Sequence, residues 1–464
     1  MKTPTPNILF FFTDDQRFDT IHALGNEQVH TPNLDYLARN GTAFTNAYIM
    51  GGSCPAVCMP SRAMLMTGRS LFHIQGEGQT IPESHVMLPE HLRRAGYRTF
   101  GAGKWHNGTE SYVRSFSAGG AIFFGGMADH WNLPACGFRP DGRYPEPAEC
   151  RQKMTLGQPV EVREFRHDRI QRGRHSTELV ARAGREFLET TDDETPFFMF
   201  LSFLAPHDPR TMPQRFLTQY VQEEIRLPKS YLPEHPFDNG ELRIRDELLE
   251  AFPRTPEAVR RHTAEYYAMI SHVDAEIGGV LDMLKATGQY ENTIIILAGD
   301  NGLAVGRHGL LGKQSNYDHS VHVPLIMAGP GIPRGERRDA YCYLLDIFPT
   351  LCESADLPIP ESVEGRSLSP ILGDPAAAGR DELLFAYRDL HRSLLRNGKK
   401  LITYNVAGAT RRQLFDLRRD PWETNDLAGD ERHAATMADL QRRLLAQMRG
   451  ADDPVAATWR TESG

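Results

Sequence analysis

"NILFFFTDD", residues 7–15, is an apolar run that ends in two carboxylates, Asp14 and Asp15. A short uninterrupted run of this kind fits a strand covered on both faces, delivering its terminal charges to one edge of a sheet. The same grammar recurs twice. "TPFFMFLSFLAPHDP" (195–209) reads as a buried strand ending at His207, and "NTIIILAGDNG" (292–302) as one ending at Asp300 and Asn301. Helical signals stand between them. "TPNLDYLARNG" (31–41) has Thr31 at an N-cap position, Pro32 at the first helical position and Gly41 past the end. "LPEHLRRAGYRTFGAGKWH" (88–106) reads helix, strand, then a loop carrying Lys104 and His106, and a long helical stretch runs from about Pro256 to Thr287. Strands alternating with helices predict an α/β fold: a mostly parallel central sheet with helices on both faces. In such sheets ligands gather beyond the carboxyl ends of the strands. Three strands ending in polar or charged residues therefore place the chemistry at one sheet edge.

Residues 107–172, rich in Gly, Phe and Trp, and 206–256, dense in proline, interrupt this order and read as long loops of the functional or mobile kind. Past Gly379 the pattern changes. "ELLFAYRD", "HRSLLRNG", "KKLITYN" and "RQLFDLRRDPWE" are short strand candidates separated by turns, followed by a helix from about Arg432 to Arg449. The expected organisation is a catalytic α/β domain, 1–379, and a C-terminal antiparallel-sheet subdomain, 380–464.

The 464 residues are 40% hydrophobic and 24% charged, ordinary for a globular protein. Net charge is −8 with both signs interleaved, which argues against nucleic acid or an anionic membrane as the main partner, though not against a small anion in a locally positive site. No apolar run is long enough to cross a bilayer. Lys2 is the only basic residue before the first strand and no cleavage site follows, so the chain as given reads as cytoplasmic, or as periplasmic or secreted if its N-terminus was trimmed. Six scattered cysteines (54, 58, 136, 150, 342 and 352) do not make a disulfide scaffold, and without a C-x-x-C pair a zinc ribbon is not expected.

Cys58 stands in "GGSCPAVCMPSRAMLMTGR" (51–69), just before a run that reads as helix up to Gly68. Free backbone N–H groups there favour an anion or a thiolate, and Arg62 one turn on has the fork to hold an oxyanion. A buried structural cysteine, or a disulfide with Cys54, fits the local sequence as well. Asp14, Asp15, Asp300 and Asn301 offer hard oxygen donors suited to Ca²⁺ or Mg²⁺ rather than zinc, where one such pair alone would be read as a cap. Lys104, His106, His207, Lys313 and Arg62 supply cations. Each is uninformative alone, and "RHGLLGKQSNYDHSVHVPLIMAGPG" (307–331) has the composition of a surface loop.

Together these segments resemble one family. Cys58-Met59-Pro60-Ser61-Arg62 followed by Thr67-Gly68-Arg69 is similar to the C-x-P-S-R…T-G-R motif of the type I, formylglycine-dependent sulfatases of the alkaline phosphatase-like superfamily. The likeness extends in order through the strand ends above and into "QLFDLRRDPWETNDLA". It implies a sulfuric ester hydrolase that releases inorganic sulfate. Cys58, not Cys54, would be oxidised to formylglycine by a maturation enzyme. Asp14, Asp15, Asp300, Asn301 and the modified Cys58 would hold a divalent cation, most often Ca²⁺ with Mg²⁺ possible. Arg62 would ease ionisation of the aldehyde hydrate, and His106 would bond its second hydroxyl. Lys104, His207 and Lys313 would clamp the sulfate, with His207 or Lys313 protonating the leaving alcohol. Asn301 departs from the histidine that many relatives carry.

The resemblance does not name the alcohol. Phe123, Phe124, His130, Trp131, Arg139, Arg143 and Tyr144 mix aromatic and cationic side chains that could face a sugar, or serve as core and solvated surface. A sulfated carbohydrate is the expected substrate. Aryl or alkyl sulfates, phosphonate or phosphate esters, and a non-catalytic binder of sulfated ligands are the alternatives.

Overall fold

The structure, a computed structural model, describes residues 5–155, 157–192 and 194–460; Lys2 lies outside the described residues. Strand β1 (Asn7–Asp14) is buried along its whole length because alternate side chains enter two different cores. Ile8, Phe10 and Phe12 pack into one, Leu9 and Phe11 into the other. Burying each such side chain contributes about 1.5–3 kcal/mol, so this one strand anchors both layers.

The central sheet has eight strands. In chain order they are β1, β2 (Gly41–Phe44), β3 (Arg98–Lys104), β4 (Ala118–Phe123), β5 (Phe197–Pro206), β6 (Thr293–Gly299), β7 (Leu325–Ala328) and β8 (Glu336–Arg338). Across the sheet they lie β8-β2-β7-β6-β1-β5-β3-β4. β4, β3, β5, β1 and β6 are mutually parallel, and β7 runs antiparallel to both β6 and β2. The face of Leu9 and Phe11 is covered by helices α1 (Pro32–Asn40), α3 (Ser176–Leu188) and α4 (Pro256–Ala286); α2 (Cys58–Thr67) and residues 344–372 cover the other. The expected mostly parallel, two-sided sheet is what forms.

Strands β9 (Glu382–Tyr387), β10 (His391–Arg396), β11 (Lys399–Val406) and β12 (Ala409–Asp416) form an antiparallel meander. Its apolar face, Leu394, Leu401 and Leu414, packs against Leu440, Leu444 and Met448 of helix α5 (Ala434–Gly450). Gly51 and Gly52 pair in parallel with β9 as a fifth strand. At Gly51 (φ +96°) a Cβ would fall 2.0 Å from the carbonyl oxygen of Ala386, so only glycine allows this approach. The segment leading to Cys58 is thereby fixed to the C-terminal sheet.

Two expectations need correction. The helix near Cys58 begins at Cys58 itself, whereas the sequence placed Cys58 just before the helical run. Pro60 is tolerated because first-turn N–H groups have no intrahelical acceptor to lose. Residues 107–172 are not a plain loop: they hold the edge strand β4, a strand pair 132–135/169–172 and a hairpin 148–152/161–165. No helix among the described residues is long and apolar enough to cross a membrane.

Candidate active site

Strand register brings the distant acidic pairs together. Thr13 is opposite Gly299 and Asp14 is opposite Pro206, so the residues that follow leave the sheet side by side. Asp15 takes a left-handed conformation (φ +67°), which Asp tolerates better than most residues, and its N–H donates to Asp300 Oδ1 at 3.0 Å. Asn301 Nδ2 donates to Asp15 Oδ1 at 2.7 Å. Strand β3 ends at Lys104, whose Nζ donates to Asp14 Oδ2 at 2.6 Å and reaches Cys58 Sγ at 3.3 Å. Lys313 comes from the loop after β6 and donates to Asp15 Oδ1 at 2.6 Å. His207 follows β5 with Nε2 3.7 Å from Asp15 Oδ2, and His106 Nδ1 lies 3.6 Å from Cys58 Sγ.

Helix α2 points its first residue at this cluster. Arg62, 1% exposed, is aimed beneath it. Its Nε donates to Asp300 Oδ2 at 2.9 Å, and its Nη1 donates to the Lys104 carbonyl and to Ser202 Oγ at 2.9 and 2.6 Å. Arg62 thus orients a carboxylate, ties the end of β3 to the interior of β5 and does not point into open space.

The donor set fits a hard divalent cation. Oxygens of Asp14, Asp15 and Asp300 crowd together with Cys58 and His207 in two overlapping groups whose ligand atoms lie within 4.8 Å. Asp14 Oδ1 and Asn301 Oδ1 are buried with no hydrogen-bond partner, as expected of oxygens shaped to face an ion.

Burial governs the electrostatics. It pushes the Cys58 thiol up, against the pull of Lys104 and Lys313, so the sulfur is held as a thiol. Burial, with Lys104, Arg62 and Lys313, pushes His106 far down, so it is neutral. For His207 burial acts downward, but Asp15, Asp14 and Asp208 outweigh it and the imidazole sits above its usual value. Burial raises Asp300, helped by Asp14, whereas Lys104 and His207 overcome burial at Asp14 and hold it low.

Every candidate site residue named from the sequence lies in this one cluster. The outer residues fared differently. Phe123 is core, and His130 is 1% exposed with Nδ1 on Ser176 Oγ at 2.6 Å and Nε2 donating to the His207 carbonyl at 3.0 Å. Phe124 and Tyr144 pack on each other, Trp131 packs edge-on against His175, and exposed Arg139 is paired with Asp168. Arg143 is exposed. Asp208 and Arg245 were missed. Asp208 accepts from Arg245 and sits 3.2 Å from His207 Nδ1. Asp208 is visible in "PHDP"; nothing in the proline-rich stretch marks Arg245. Beside Asp208 a cavity of about 250 Å³ is lined by Arg210, Glu250, Arg261, His262 and Glu265.

Comparison with known proteins identifies the family. The family profile described as Sulfatase matches residues 6–357, and that of N-sulphoglucosamine sulphohydrolase, C-terminal, matches 306–450. The chain is 28% identical to an arylsulfatase of Clostridium perfringens (strain 13 / Type A) over 97% of this chain and 95% of that one. It is 25% identical to an N-acetylglucosamine-6-O-sulfatase of Bacteroides thetaiotaomicron over 96% and 86%. A solved structure of a protein with its substrate D-glucosamine-2-N,6-O-disulfate shares the fold, with TM-score 0.75 and 21% identity over 97% of this chain and 98% of that one. The chain belongs to the sulfatase family and is a sulfate ester hydrolase.

Proposed function

We propose that this enzyme removes sulfate from a sulfated saccharide, with formylglycine made from Cys58 by a maturation enzyme and with Ca²⁺, or Mg²⁺, at the strand ends. The observation that carries the reading is the placement of Cys58 at the start of helix α2, its Sγ buried 3.3 Å from Lys104 Nζ and 3.6 Å from His106 Nδ1, with ligand atoms of Asp14 and Asp300 alongside.

Asp14, Asp15, Asp300 and Asn301 would hold the cation together with the side chain at position 58. The hydrated aldehyde supplies an oxygen nucleophile toward sulfur and a release route that a serine ester lacks. Lys104 Nζ, Lys313 Nζ and His207 Nε2 bind the sulfate oxygens and stabilise charge as the S–O bond breaks. Neutral His106 accepts a proton at Nδ1 from the group at position 58. Arg62 keeps Asp300 ionised and oriented. The leaving alcohol takes its proton from His207 Nε2 or Lys313 Nζ. Overall, water adds across the ester and gives alcohol and hydrogen sulfate.

The saccharide reading is supported by the cavity beside Asp208, whose charged lining suits hydroxyl groups better than an aryl ring. The N-acetylglucosamine-6-O-sulfatase relative points the same way. We also treat 1–379 as the catalytic unit and 380–464 as a subdomain that braces it through Gly51–Gly52.

The test is sulfate release by protein whose aldehyde has been verified with a carbonyl-trapping reagent. Sulfated mono- and disaccharides, an aryl sulfate and a phosphonate monoester form the panel. Release from one sugar position well above the aryl rate is expected. Turnover of the aryl or phosphonate ester alone overturns the saccharide assignment.

A further inference from the structure

Away from the strand ends, helices α3 and α4 pack side by side, with His272 between them. The residue is 0% exposed, and neither ring nitrogen has a hydrogen-bond partner. Leaving a buried polar group unpaired costs about 1–3 kcal/mol, and an imidazole has two such groups. The ring is held in place by Phe216, stacked at 4.7 Å and 24°, and by His175 at 4.7 Å and 55°.

Two carboxylates share its surroundings. Glu178 Oε1 lies 3.7 Å from His272 Nε2, too long for a hydrogen bond. Glu276 follows His272 by four residues and so stands on the same helix face. One ligand atom from each of the three lies within 4.8 Å of the others. Ligands on one ion at about 2 Å stand roughly 3–3.5 Å apart, so closing this set onto an ion needs only small side-chain adjustment. We propose that Glu178, His272 and Glu276 form a second cation site, separate from the strand-end site, that takes a borderline divalent ion of the Zn²⁺ type.

The donor chemistry selects the class. An imidazole nitrogen with two carboxylates suits zinc, whereas Ca²⁺ and Mg²⁺ prefer all-oxygen sets. The side chains of Glu178 and Glu276 are 27% and 16% exposed, which leaves a coordination position for water. Glu178 has no lysine or arginine partner among the described residues. Glu276 uses Oε2 for Arg185 at 3.1 Å, which leaves Oε1 free of that pair. The ion would tie α3 to α4 behind the segment that carries His207. His175 packs tilted against His272 and stacks on His130, and His130 donates to the His207 carbonyl.

The experiment titrates chelator-stripped full-length protein with Zn²⁺ in excess Ca²⁺, so that the strand-end site is already filled. Calorimetry gives stoichiometry, thermal unfolding gives Tm, and Co²⁺ absorption reports a low-coordinate N/O site. The wild type is expected to bind one more Zn²⁺ than the Glu178→Gln/Glu276→Gln variant and alone to rise in Tm. Each single glutamine variant should bind at least about tenfold more weakly. His272→Leu should remove the site, and should that variant not fold, the partly exposed glutamates decide the matter. Equal Zn²⁺ stoichiometry and equal Tm response in wild type and the double variant overturn the proposal.

Discussion

Lys104 Nζ donates to Asp14 Oδ2 at 2.6 Å, and both side chains are 0% exposed. The two residues are the last of strands β3 and β1, which are separated in the sheet by β5. The lysine also reaches Cys58 at 3.3 Å, so one buried cation serves both the proposed metal ligand and the proposed nucleophile precursor.

Replacing it tests that double duty. Lys104→Met keeps the volume but strands the Asp14 carboxylate, which should cost about 3–5 kcal/mol in urea unfolding of the metal-free protein. Loss of a charge that binds the transition state should also lower kcat by about 10²–10³-fold in the metal-loaded enzyme. Activity within tenfold of wild type would remove Lys104 from the sulfate clamp.

Metal removal should reveal the strand-end site. Asp14, Asp15 and Asp300 are pressed together, and burial plus Asp14 raises Asp300, a conflict that a divalent cation relieves. Chelation should abolish turnover and lower Tm, and Ca²⁺ should restore both. An ion at 100 times its Kd stabilises by about 2.7 kcal/mol. Asp300→Asn should flatten the Tm response. A stripped protein whose Tm and turnover ignore added Ca²⁺ and Mg²⁺ would rule the site out.

The central sheet was legible because β1, β5 and β6 are covered on both faces and so read as continuous apolar runs. The site was legible because its residues sit immediately beyond those runs, at positions 14–15, 207 and 300–301. Strand order is what unites them, and a parallel sheet makes that order inferable. Residues that approach from elsewhere left less trace. Arg245 reaches Asp208 from an irregular, proline-rich segment with no periodicity to read. The outer aromatic residues stayed open between two roles for the opposite reason. Composition around Phe123, His130 and Tyr144 cannot tell a sugar platform from a core, and the hydrogen bonds of His130 to Ser176 and His207 fix it as structure. The helix bearing Cys58 began early because a first-turn proline looks like a breaker but loses no hydrogen bond.

Cys58→Ala should leave the fold intact and abolish turnover. The side chain is 2% exposed but small, so the loss of stability stays near 1 kcal/mol. A hydrazide probe should label matured wild type and not the variant. Residual sulfate release by the alanine protein would show that position 58 is not the nucleophile.

Away from the site, Asp19 gives a pH test. Burial acts to raise its carboxyl, but Arg17 and Arg307 outweigh it and bring it from 3.8 to about 2. A depressed carboxylate stabilises the fold above its unfolded pKa and ceases to do so as pH falls through the folded value. The advantage should be full above about pH 4, near 2 kcal/mol, and vanish toward pH 2. Asp19→Asn should therefore be less stable than wild type in urea at pH 7, with the gap narrowing between pH 4 and pH 3. A constant gap would place its origin in packing.

The leaving-group proton separates His207 from Lys313. His207 Nδ1 faces both the Asp208 carbonyl, at 2.9 Å, and its carboxylate, at 3.2 Å, while Asp15 lies 3.7 Å from Nε2. Those contacts lift the imidazole above its usual value and leave Nε2 protonated toward the substrate. Lys313 is held still more firmly as the ammonium by Asp15, against burial. An imidazolium is intrinsically a stronger acid than an ammonium held well above its usual range, which favours His207 as the donor and Lys313 as a fixed charge. His207→Gln should then lower kcat on an alkyl or sugar sulfate by about 10²–10⁴-fold and on an aryl sulfate with an acidic phenol far less. Lys313→Met should lower both alike, because sulfate charge must be stabilised whatever the alcohol. Equal losses for His207→Gln on the two esters, with a leaving-group-dependent loss for Lys313→Met, would reverse the assignment.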